Sequence, residues 1–438
     1  MKLSIIVPVR DEAERIRATL TPLQPLRAAG HEVIVVDGGS RDGSAGTAAA
    51  LADRVLEAPR GRAVQMNVGA SVATGDVLLF LHADCRLPPR ADDAIARAVA
   101  RGRRWGRFDV TLDGRSPALP MVAAFMNARS AATGICTGDQ AMFVERVAFE
   151  AIGGFPPLAL MEDVAISRAL KRHAGKPARL RERVVASGRR WDAQGAWPTI
   201  LSMWSLRWAW WRGADPRTLS RRYYGVEPRD PPTLLVFAKA PVPGRVKTRL
   251  ARTIGDEAAT TVYRALAERT LATAAAARRA GAVGAVELWL DPHSDPAAVA
   301  PWRDRFDVAV ATQAGDDLGA RMRHALRLSL ARGRTALLIG TDVPGYDVAY
   351  LARAAAALAR HDAVVGPAED GGYALIGLAC DVDAFSGVPW STPEVMAATR
   401  ARLAACGASH AELPPLWDVD THDDLLRWQE RPVERAPA

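Results

Sequence analysis

The sequence has few cysteines and no long apolar run, and these absences exclude whole classes of protein. Its four cysteines form no CxxC pair and no spacing typical of a metal site, so we predict free thiols in a reducing compartment; they are Cys85, Cys136, Cys380 and Cys406. No apolar segment reaches the ~18 residues that a membrane span requires. The first apolar run, IIVPV, is too short for a signal peptide and leads directly into charged residues, so it predicts a strand. We therefore expect a cytoplasmic protein.

Positive charge is in excess but is nowhere concentrated. There are 57 Lys and Arg residues against 49 Asp and Glu, which gives a formal net charge of +8. Such a balance suits nucleic acid, an anionic membrane surface or small molecules that carry phosphate. The basic residues form no dense block with interleaved aromatic residues, which favours a solvated Arg-rich surface over nucleic-acid binding. The length of 438 residues is comfortable for two domains.

Two short apolar runs, far apart in the chain, each end close to an aspartate. Residues 77–81 (VLLFL) lead into His82 and Asp84, and residues 335–339 (TALLI) lead into Asp342. Continuous apolar runs of this length are typical of strands buried on both faces of a parallel sheet. Open α/β sheets bind ligands beyond the carboxyl ends of their strands. The sequence therefore predicts two sites on two related sheets.

The chain begins with a strand, a helix and a second strand, which together predict a parallel βαβ unit. The strands are predicted over 3–9 and 32–36, and the helix opens at 10–12. The second strand ends in the Gly-rich turn DGGSRDGS, where an aspartate can bind a ribose hydroxyl or a base edge. No GxGxxG motif follows the first strand, which argues against a dinucleotide-binding dehydrogenase.

Polar residues after these strands are candidates for a binding pocket, each with a structural alternative. Arg62 and Asn67 lie close enough in sequence to line one pocket. Asp84 alone could equally be a helix cap. Together with Asp37 it favours a divalent metal site, because carboxylate oxygens suit Mg²⁺ or Mn²⁺ bridging to a diphosphate. The adjacent acids Glu162 and Asp163 open a helix, where they could complement the helix dipole or supply a general base.

The stretch 197–211 (WPTILSMWSLRWAWW) is the richest in aromatic residues. It predicts a core helix, an acceptor platform or a helix at a membrane interface. Packing against the catalytic domain is the default interpretation, and peripheral membrane contact is the alternative.

Several spaced motifs in the first 225 residues resemble those of family 2 glycosyltransferases with the GT-A fold. They are IIVPVRDEA, VVDGGSRDGS, FLHAD, GDQAMFV, the Glu162-Asp163 pair and Arg189-Arg190-Trp191. Within that family the chain looks most like a small cytosolic branch found near radical-SAM and selenium-linked genes. Some members of this branch are named for arsenosugar biosynthesis.

The resemblance implies roles for individual residues. Asp37 would contact the nucleotide, and Asp163 would be the base that activates the acceptor, with Glu162 beside it. Asp84 would hold the metal, with His82 as a weaker ligand because it replaces the first acid of the usual Asp-x-Asp. Arg190 and Trp191 would lie near the diphosphate and the acceptor. Further substrate contacts are expected from the matching motifs, at Pro8, Arg10, Glu12, Gly38, Ser40, Arg62, Asn67, Asp139 and Gln140.

A charged, Pro-rich segment at 228–232 is the predicted linker between domains at 1–227 and 233–438. A new strand follows at 233–238 and leads into a loop with Arg245, Lys247 and Arg249. Such a loop suits a phosphate-bearing ligand or is a solvated basic loop.

The motifs FAKAPVPGRVKTRLA, GTDVPGY, GPAEDGGYALIGL and WDVDT resemble the DUF2064-type transferases, GT-A-like proteins distantly related to nucleotidyltransferases. The resemblance implies phosphate contacts from the three basic loop residues and a metal at Asp342. Asp370 is a weaker candidate for substrate contact. Asp418 and Asp420 could both face one cation and are weaker candidates, and of the two we predict Asp420 as a metal ligand.

We therefore predict two tandem α/β GT-A domains with mostly parallel central sheets. The first would be a metal-dependent (Mg²⁺ or Mn²⁺), inverting glycosyltransferase that moves a sugar from a nucleotide-sugar donor to a small-molecule acceptor. The second would be a glycosyl- or nucleotidyltransferase. The alternatives are a non-catalytic nucleotide-binding or structural second half, or a peripheral membrane glycosyltransferase with a lipid acceptor.

Overall fold

The computed structural model describes residues 1–225 and 229–430. It divides the chain into two compact units, Met1–Arg229 and Asp230–Ala438. The predicted linker, 228–232, begins at a residue outside the described ranges, and the division between the units falls within this segment. Each unit is described by itself.

The first unit is an α/β structure of eight strands. The strands are β1 (Leu3–Val9), β2 (Glu32–Asp37), β3 (Arg54–Glu57), β4 (Val77–Phe80), β5 (Cys85–Arg86), β6 (Trp105–Asp113), β7 (Met142–Glu145) and β8 (Ala178–Ser187). The helices are α1 (Ala13–Leu20), α2 (Gln24–Ala28), α3 (Ser44–Ala49), α4 (Arg62–Ser71), α5 (Ala91–Ala100), α6 (Leu119–Thr133), α7 (Arg146–Ala151), α8 (Glu162–Ala174), α9 (Arg189–Gln194), α10 (Ala196–Trp211) and α11 (Pro216–Tyr224). Short 3₁₀ turns lie at Thr21–Leu23 and Gly138–Gln140.

The sheet of the first unit has the order β3-β2-β1-β4-β7-β6-β8-β5. Strands β3, β2, β1 and β4 pair in parallel, and every residue of β1 and β4 is buried, as their unbroken apolar sequences predict. Beyond β4 the sheet is mixed, because β7 runs antiparallel to both β4 and β6. The prediction of a mostly parallel sheet is confirmed, and its antiparallel strands are β7 and β5, of which β5 pairs with β8.

The second unit has seven strands. They are β9 (Thr233–Ala238), β10 (Val286–Leu290), β11 (Ala309–Thr312), β12 (Ala336–Ile339), β13 (Ala363–Pro367), β14 (Tyr373–Leu378) and β15 (His410–Glu412). The helices are α12 (Thr248–Ile254), α13 (Asp256–Ala280), α14 (Ala300–Phe306), α15 (Leu318–Ala331), α16 (Val348–Leu358), α17 (Val395–Ala405) and α18 (His422–Glu430), with a 3₁₀ turn at Pro296–Val299.

The two sheets share one central arrangement. In the second unit the order is β11-β10-β9-β12-β14-β13-β15, so β9 lies between β10 and β12 as β1 lies between β2 and β4. Strand β12 pairs in parallel with β9 and antiparallel with β14, which repeats the pairing of β4 with β1 and β7. The two apolar runs that end near Asp84 and Asp342 are therefore equivalent strands, and the prediction of two related α/β sheets is confirmed.

The aromatic stretch forms α10, which buries only part of its surface. Thr199 and Leu206 are buried, whereas the large residues on another face are exposed. Among the described residues, no helix combines the length and the apolar character needed to cross a membrane.

Candidate active sites

The carboxyl ends of β1 and β2 are held together at one edge of the first sheet. The amide of the buried Gln65 donates hydrogen bonds to the carbonyl oxygens of Val9 and Val36, at 2.9 and 2.8 Å. Asp37 is 3% exposed, and its carboxylate accepts from the Ser40 backbone N–H at 3.1 Å and from the Ser40 hydroxyl. Asp37 thus shapes the Gly-rich turn at this edge, and its predicted contact with a nucleotide stays a prediction.

The other residues of this edge that we predicted to bind substrate occupy different environments. Pro8 is buried inside β1, and Gly38 packs so closely on Gln65 that a Cβ there would lie 3.0 Å from it. Arg10 is exposed and pairs with its neighbour Asp11 at 3.5 Å. Glu12 accepts a hydrogen bond from Arg189 at 3.0 Å, which links the start of α1 to α9.

A pocket at the end of β4 brings together residues that are far apart in sequence. It is lined by Arg62, Met66, Phe80, His82, Gly138, Met142, Phe155, Glu162 and Asp163. Four of these were predicted site residues: the guanidinium from α4, the imidazole after β4 and the two acids from the first turn of α8. Their convergence is the main geometric support for a catalytic site.

His82 and Asp139 meet at the mouth of this pocket. The His82 Nδ1 lies 3.4 Å from Asp139 Oδ1, and the imidazole is about 10% exposed. The ring packs directly against Gly138, where any Cβ would overlap it. Partial burial opposes ionisation of Asp139, but a hydrogen bond from His82 and the charges of Arg62 and Arg190 lower the pKa of this carboxyl below its ordinary value. Asp139 is therefore an anion poised at the pocket.

The potential ligands for a cation differ from the predicted pair of His82 and Asp84. In the described part of the chain, one group of three potential ligands has all its donor atoms within 4.8 Å of one another, and it is formed by His82, Cys85 and Asp139. Burial raises the pKa of the Cys85 thiol well above its ordinary value, so the thiol stays protonated and is a poor ligand. Asp84 lies next to this group, with an oxygen 3.8 Å from the Cys85 sulfur. The usable donors are then carboxylate oxygens and one imidazole, a set that fits Mg²⁺ or Mn²⁺.

The Glu162-Asp163 pair is presented by a turn in an unusual backbone conformation. Met161, which precedes α8, has a φ of 71°, a region that residues other than glycine seldom occupy outside functional sites. Glu162 is 7% exposed. Burial, and then the neighbouring Asp163 carboxylate, raise its pKa above the ordinary value. The buried Glu162 therefore takes up a proton more readily than an ordinary glutamate, and the half-buried Asp163 is the more accessible carboxylate of the pair.

Of the two predicted residues on α9, one faces an aromatic pair and the other packs into the core. The guanidinium of Arg190 lies 4.1 Å from the centre of the Tyr223 ring, and Arg60 lies 5.8 Å from the centre of the Tyr224 ring. Trp191 is half-buried and packs against the main core cluster of the first unit. We therefore assign Trp191 a structural contact, and its predicted role near the acceptor stays a prediction.

The predicted contacts from Asn67 and Gln140 are occupied by the protein itself. The Asn67 amide donates to the Phe155 carbonyl at 2.8 Å and accepts from the Phe155 N–H at 2.9 Å. The Gln140 side-chain oxygen accepts from the backbone N–H of Thr137 at 3.2 Å and closes a 3₁₀ turn. Both are buried and position the pocket wall, because they hold Phe155 and Gly138 in place.

In the second unit a buried lysine lies between two of the predicted metal ligands. The Lys247 ammonium is 2.6 Å from Asp342 and 2.9 Å from Asp420, and its side chain is 4% exposed. Burial opposes its charge, but these two carboxylates raise the pKa of Lys247 above the ordinary value. The two acids thus share the Lys247 ammonium as a direct partner. Their metal role stays a prediction for a ligand-bound state.

Other predicted residues of the second unit surround this cluster. Arg249 lies 3.7 Å from Asp420, and Asp370 accepts from the Gly372 N–H at 2.9 Å. The guanidinium of the exposed Arg245 donates a hydrogen bond to the His293 carbonyl at 3.4 Å. Burial and the carboxylates of Asp420 and Asp370 raise the pKa of Asp418 to about 6.

Comparisons with known proteins agree with this geometry. The glycosyl transferase family 2 model matches residues 4–144, which run from the start of β1 into β7 and include Arg62, His82 and Gly138 of the pocket but not Glu162 and Asp163. The first unit is a glycosyltransferase family 2 domain. Hereafter we call it the glycosyltransferase unit. The second unit matches, over residues 271–392, a family described as uncharacterized proteins conserved in bacteria, DUF2064.

Individual relatives cover parts of the chain. An undecaprenyl-phosphate 4-deoxy-4-formamido-L-arabinose transferase from Sodalis glossinidius is 31% identical over 112 residues, which are 23% of this chain and 34% of that protein. The chain thus spans about a third of this curated relative. A structure from Desulfovibrio desulfuricans G20, provisionally named a nucleotide-diphospho-sugar transferase, is 31% identical over 46% of this chain and 88% of that chain, with a TM-score of 0.42.

A mannosyltransferase from Pyrobaculum calidifontis, solved with GDP-Man and Mn²⁺, is 24% identical. The match covers 42% of this chain and 56% of that chain, with a TM-score of 0.34.

Proposed function

We propose that the glycosyltransferase unit transfers a sugar from a nucleotide-sugar donor to a hydroxyl of a small-molecule acceptor, with inversion at the anomeric carbon and with a divalent cation. The observation that carries the proposal is the pocket in which Glu162 and Asp163 face Arg62 and His82 at the carboxyl end of a buried parallel strand. In one pocket, an acid can take the proton of the acceptor and the cationic side chains can stabilise the departing diphosphate.

Asp163 is the proposed general base. Its carboxylate takes the proton as the acceptor oxygen forms its bond to the anomeric carbon. The bond between that carbon and the diphosphate oxygen breaks with its electron pair on the leaving diphosphate. Because attack and departure occur on opposite faces, one displacement inverts the configuration. Asp163 is the more exposed carboxylate of the pair, so it is the one that an acceptor can reach.

Cationic side chains are proposed to receive the diphosphate. Arg62 lines the pocket, and Arg190 lies close enough to Asp139 and Arg62 to act on their electrostatics. A guanidinium can bind two phosphate oxygens at once and stabilises the charge that develops on the leaving group. Stacking on Tyr223 orients the Arg190 guanidinium.

The cation would be held by Asp139, His82 and Asp84. When bound, Mg²⁺ or Mn²⁺ would neutralise charge on the diphosphate of the donor. The geometry supports this assignment, because the donor atoms of His82 and Asp139 lie in one group within 4.8 Å, and Asp84 lies next to Cys85 of the same group. The Cys85 thiol remains behind the site as a protonated, buried group.

The test is donor turnover by the full chain. Release of nucleoside diphosphate from a panel of nucleotide sugars is measured with and without Mn²⁺. Asp163→Asn should lower turnover by about 10²–10⁴-fold, the usual value of a general base. Asp93→Asn is the matched control, because Asp93 is also an acid in the first turn of a helix but lies outside the pocket. Wild-type-like turnover in the Asp163 variant would overturn the proposal.

For the second unit we propose a transferase acting on a nucleotide-linked substrate, which would make the chain bifunctional. The support is the cluster of Lys247, Asp342 and Asp420, at the strand edge equivalent to that of Asp84. Asp342→Asn should leave donor turnover by the glycosyltransferase unit unchanged and should abolish nucleotide-induced thermal stabilisation of the second unit. Unchanged stabilisation would instead favour a module whose nucleotide site lies elsewhere.

The resemblance to the arsenosugar branch suggests one specific acceptor class. The narrower proposal is an acceptor that contains arsenic or selenium, and incubation of the active enzyme with candidate acceptors, followed by mass spectrometry, tests it. Cytoplasmic location likewise stays a prediction.

A further inference from the structure

Helix α10 carries a stripe of large apolar residues that the glycosyltransferase unit leaves uncovered. Trp197, Leu201, Trp204, Trp208 and Trp211 follow the spacing 4, 3, 4, 3, which places them on one helix face. Their exposed fractions are 68, 65, 56, 58 and 73%. We call these five residues the tryptophan face.

The neighbouring helix α6 extends this surface. Met121 and Phe125, one turn apart on α6, are 57% and 51% exposed, and the rings of Phe125 and Trp204 lie 6.1 Å apart. Together with the tryptophan face, these two residues make up seven of the nine large exposed apolar residues in the described part of this unit. Concentration of apolar residues on one patch is typical of an interaction surface, since single exposed apolar residues are usually scattered.

The opposite side of α10 fixes the helix to the protein. Leu206 is fully buried and packs in a cluster with Met161 and Val164, which flank the Glu162-Asp163 pair. The tryptophan face is therefore the outer surface of a helix that is anchored behind the candidate active site. Its exposure does not arise from a loosely attached helix.

The charge around the tryptophan face is strongly positive. Residues 196–225 contain five arginines, at 207, 212, 217, 221 and 222, and one acid, Asp215. Asp215 caps α11 by accepting a hydrogen bond from the Thr218 N–H at 3.1 Å. The Arg212 guanidinium lies 4.7 Å from the centre of the Trp208 ring, so basic and aromatic groups form one surface.

We propose that the tryptophan face binds the surface of an anionic phospholipid bilayer, with α10 lying in the plane of the interface. Indole rings are favoured at the level of lipid headgroups, and arginines beside them attract anionic lipids. Helix α10 has 16 residues and includes Arg207, and Arg212 follows its last residue, so it lies on a bilayer and does not cross it. A second copy of the chain is a poorer occupant, because pairing two such faces would bring together two segments with a net charge of +4 each.

Binding of the tryptophan face to a bilayer would fix the position of the active site relative to the membrane surface. Because the inner side of α10 packs on residues beside Glu162 and Asp163, docking would hold the pocket close to the headgroups. This inference is independent of the proposed chemistry, since it concerns only adsorption of the chain to lipid.

The experiment is co-sedimentation of the full chain with vesicles of phosphatidylcholine alone and with vesicles that also contain phosphatidylglycerol. We expect binding to the anionic vesicles that weakens as salt rises. Trp204→Ala with Trp208→Ala should weaken binding by at least about tenfold, because two indoles leave the interface. Val147→Ala is the control, since Val147 is 67% exposed and lies outside the patch. Circular dichroism verifies that each variant is folded.

Three outcomes would overturn the proposal. They are no sedimentation with anionic vesicles, equal sedimentation of the double variant and the wild type, and a lipid-free dimer that the double variant abolishes. The last outcome, measured by light scattering, would assign the face to a second copy of the chain.

Discussion

Gly138 provides a sensitive test of the site, because it is in contact with the His82 ring. Its backbone is not in the left-handed region, so alanine is conformationally allowed, but the added Cβ would overlap the ring and lie only 3.0 Å from Nδ1. The ring would have to move by about 1–1.5 Å to reach van der Waals distance. A shift of this size disrupts the 3.4 Å approach of His82 to Asp139.

Gly138→Ala should therefore weaken the response to metal. Loss of a group that supports a metal ligand typically costs about 10–100-fold in metal affinity. We expect the Mn²⁺ concentration for half-maximal donor turnover to rise by about that factor. Gly46→Ala is the control, because Gly46 lies in α3 and a Cβ there has no neighbour within 4 Å.

A double-mutant cycle sharpens this test. In a His82→Ala background the ring is gone, so Gly138→Ala should have little further effect on the Mn²⁺ response. Either an unchanged midpoint in Gly138→Ala alone or fully additive effects of the two substitutions would refute the assigned packing between Gly138 and the site.

The second unit gives two stability predictions, both measurable by calorimetry of the full chain. Lys247→Met removes the ammonium that Asp342 and Asp420 share, while Arg249 stays 3.7 Å from Asp420. The substitution should destabilise the unit by about 2 kcal/mol, less than for a fully buried pair because both acids are partly exposed. Asp342→Asn should offset part of this loss, and a Lys247→Met variant as stable as wild type would contradict the buried ion pair. The folded-state pKa of Asp418 is raised to about 6, so this carboxyl lowers stability as pH rises from about 4 to 6. Asp418→Asn should thus stabilise the unit by about 1 kcal/mol above pH 6, after allowance for its partial exposure, and not below pH 4; equal effects at both pH values would contradict the raised pKa.

The strands that apolar sequence alone specifies were predicted best. Strands β1 and β9 have the predicted bounds, because each is short, apolar and flanked by charged residues or turns. Strands β6 and β8 were not predicted. Strand β8 alternates buried and exposed positions and carries several arginines, so it has no continuous apolar run.

The candidate site was only partly predictable, for a physical reason. Motifs identified His82, Glu162 and Asp163, but closeness in space depends on sheet order, and the antiparallel β7 is what delivers Gly138 and Asp139 to the end of β4. Asn67 illustrates the opposite difficulty. A polar residue beside a pocket motif predicts a ligand contact, whereas the tertiary structure engages its amide with the backbone of Phe155, 88 residues away.

The most direct measurement for the central claim is the position of a bound Mn²⁺ in crystals of the full chain grown with a nucleoside diphosphate. We predict an anomalous difference peak at the pocket of the glycosyltransferase unit, within bonding distance of Asp139, His82 or Asp84. The diphosphate should contact the same ion and Arg62. An ion and nucleotide found only elsewhere, with this pocket empty in fully loaded crystals, would contradict it.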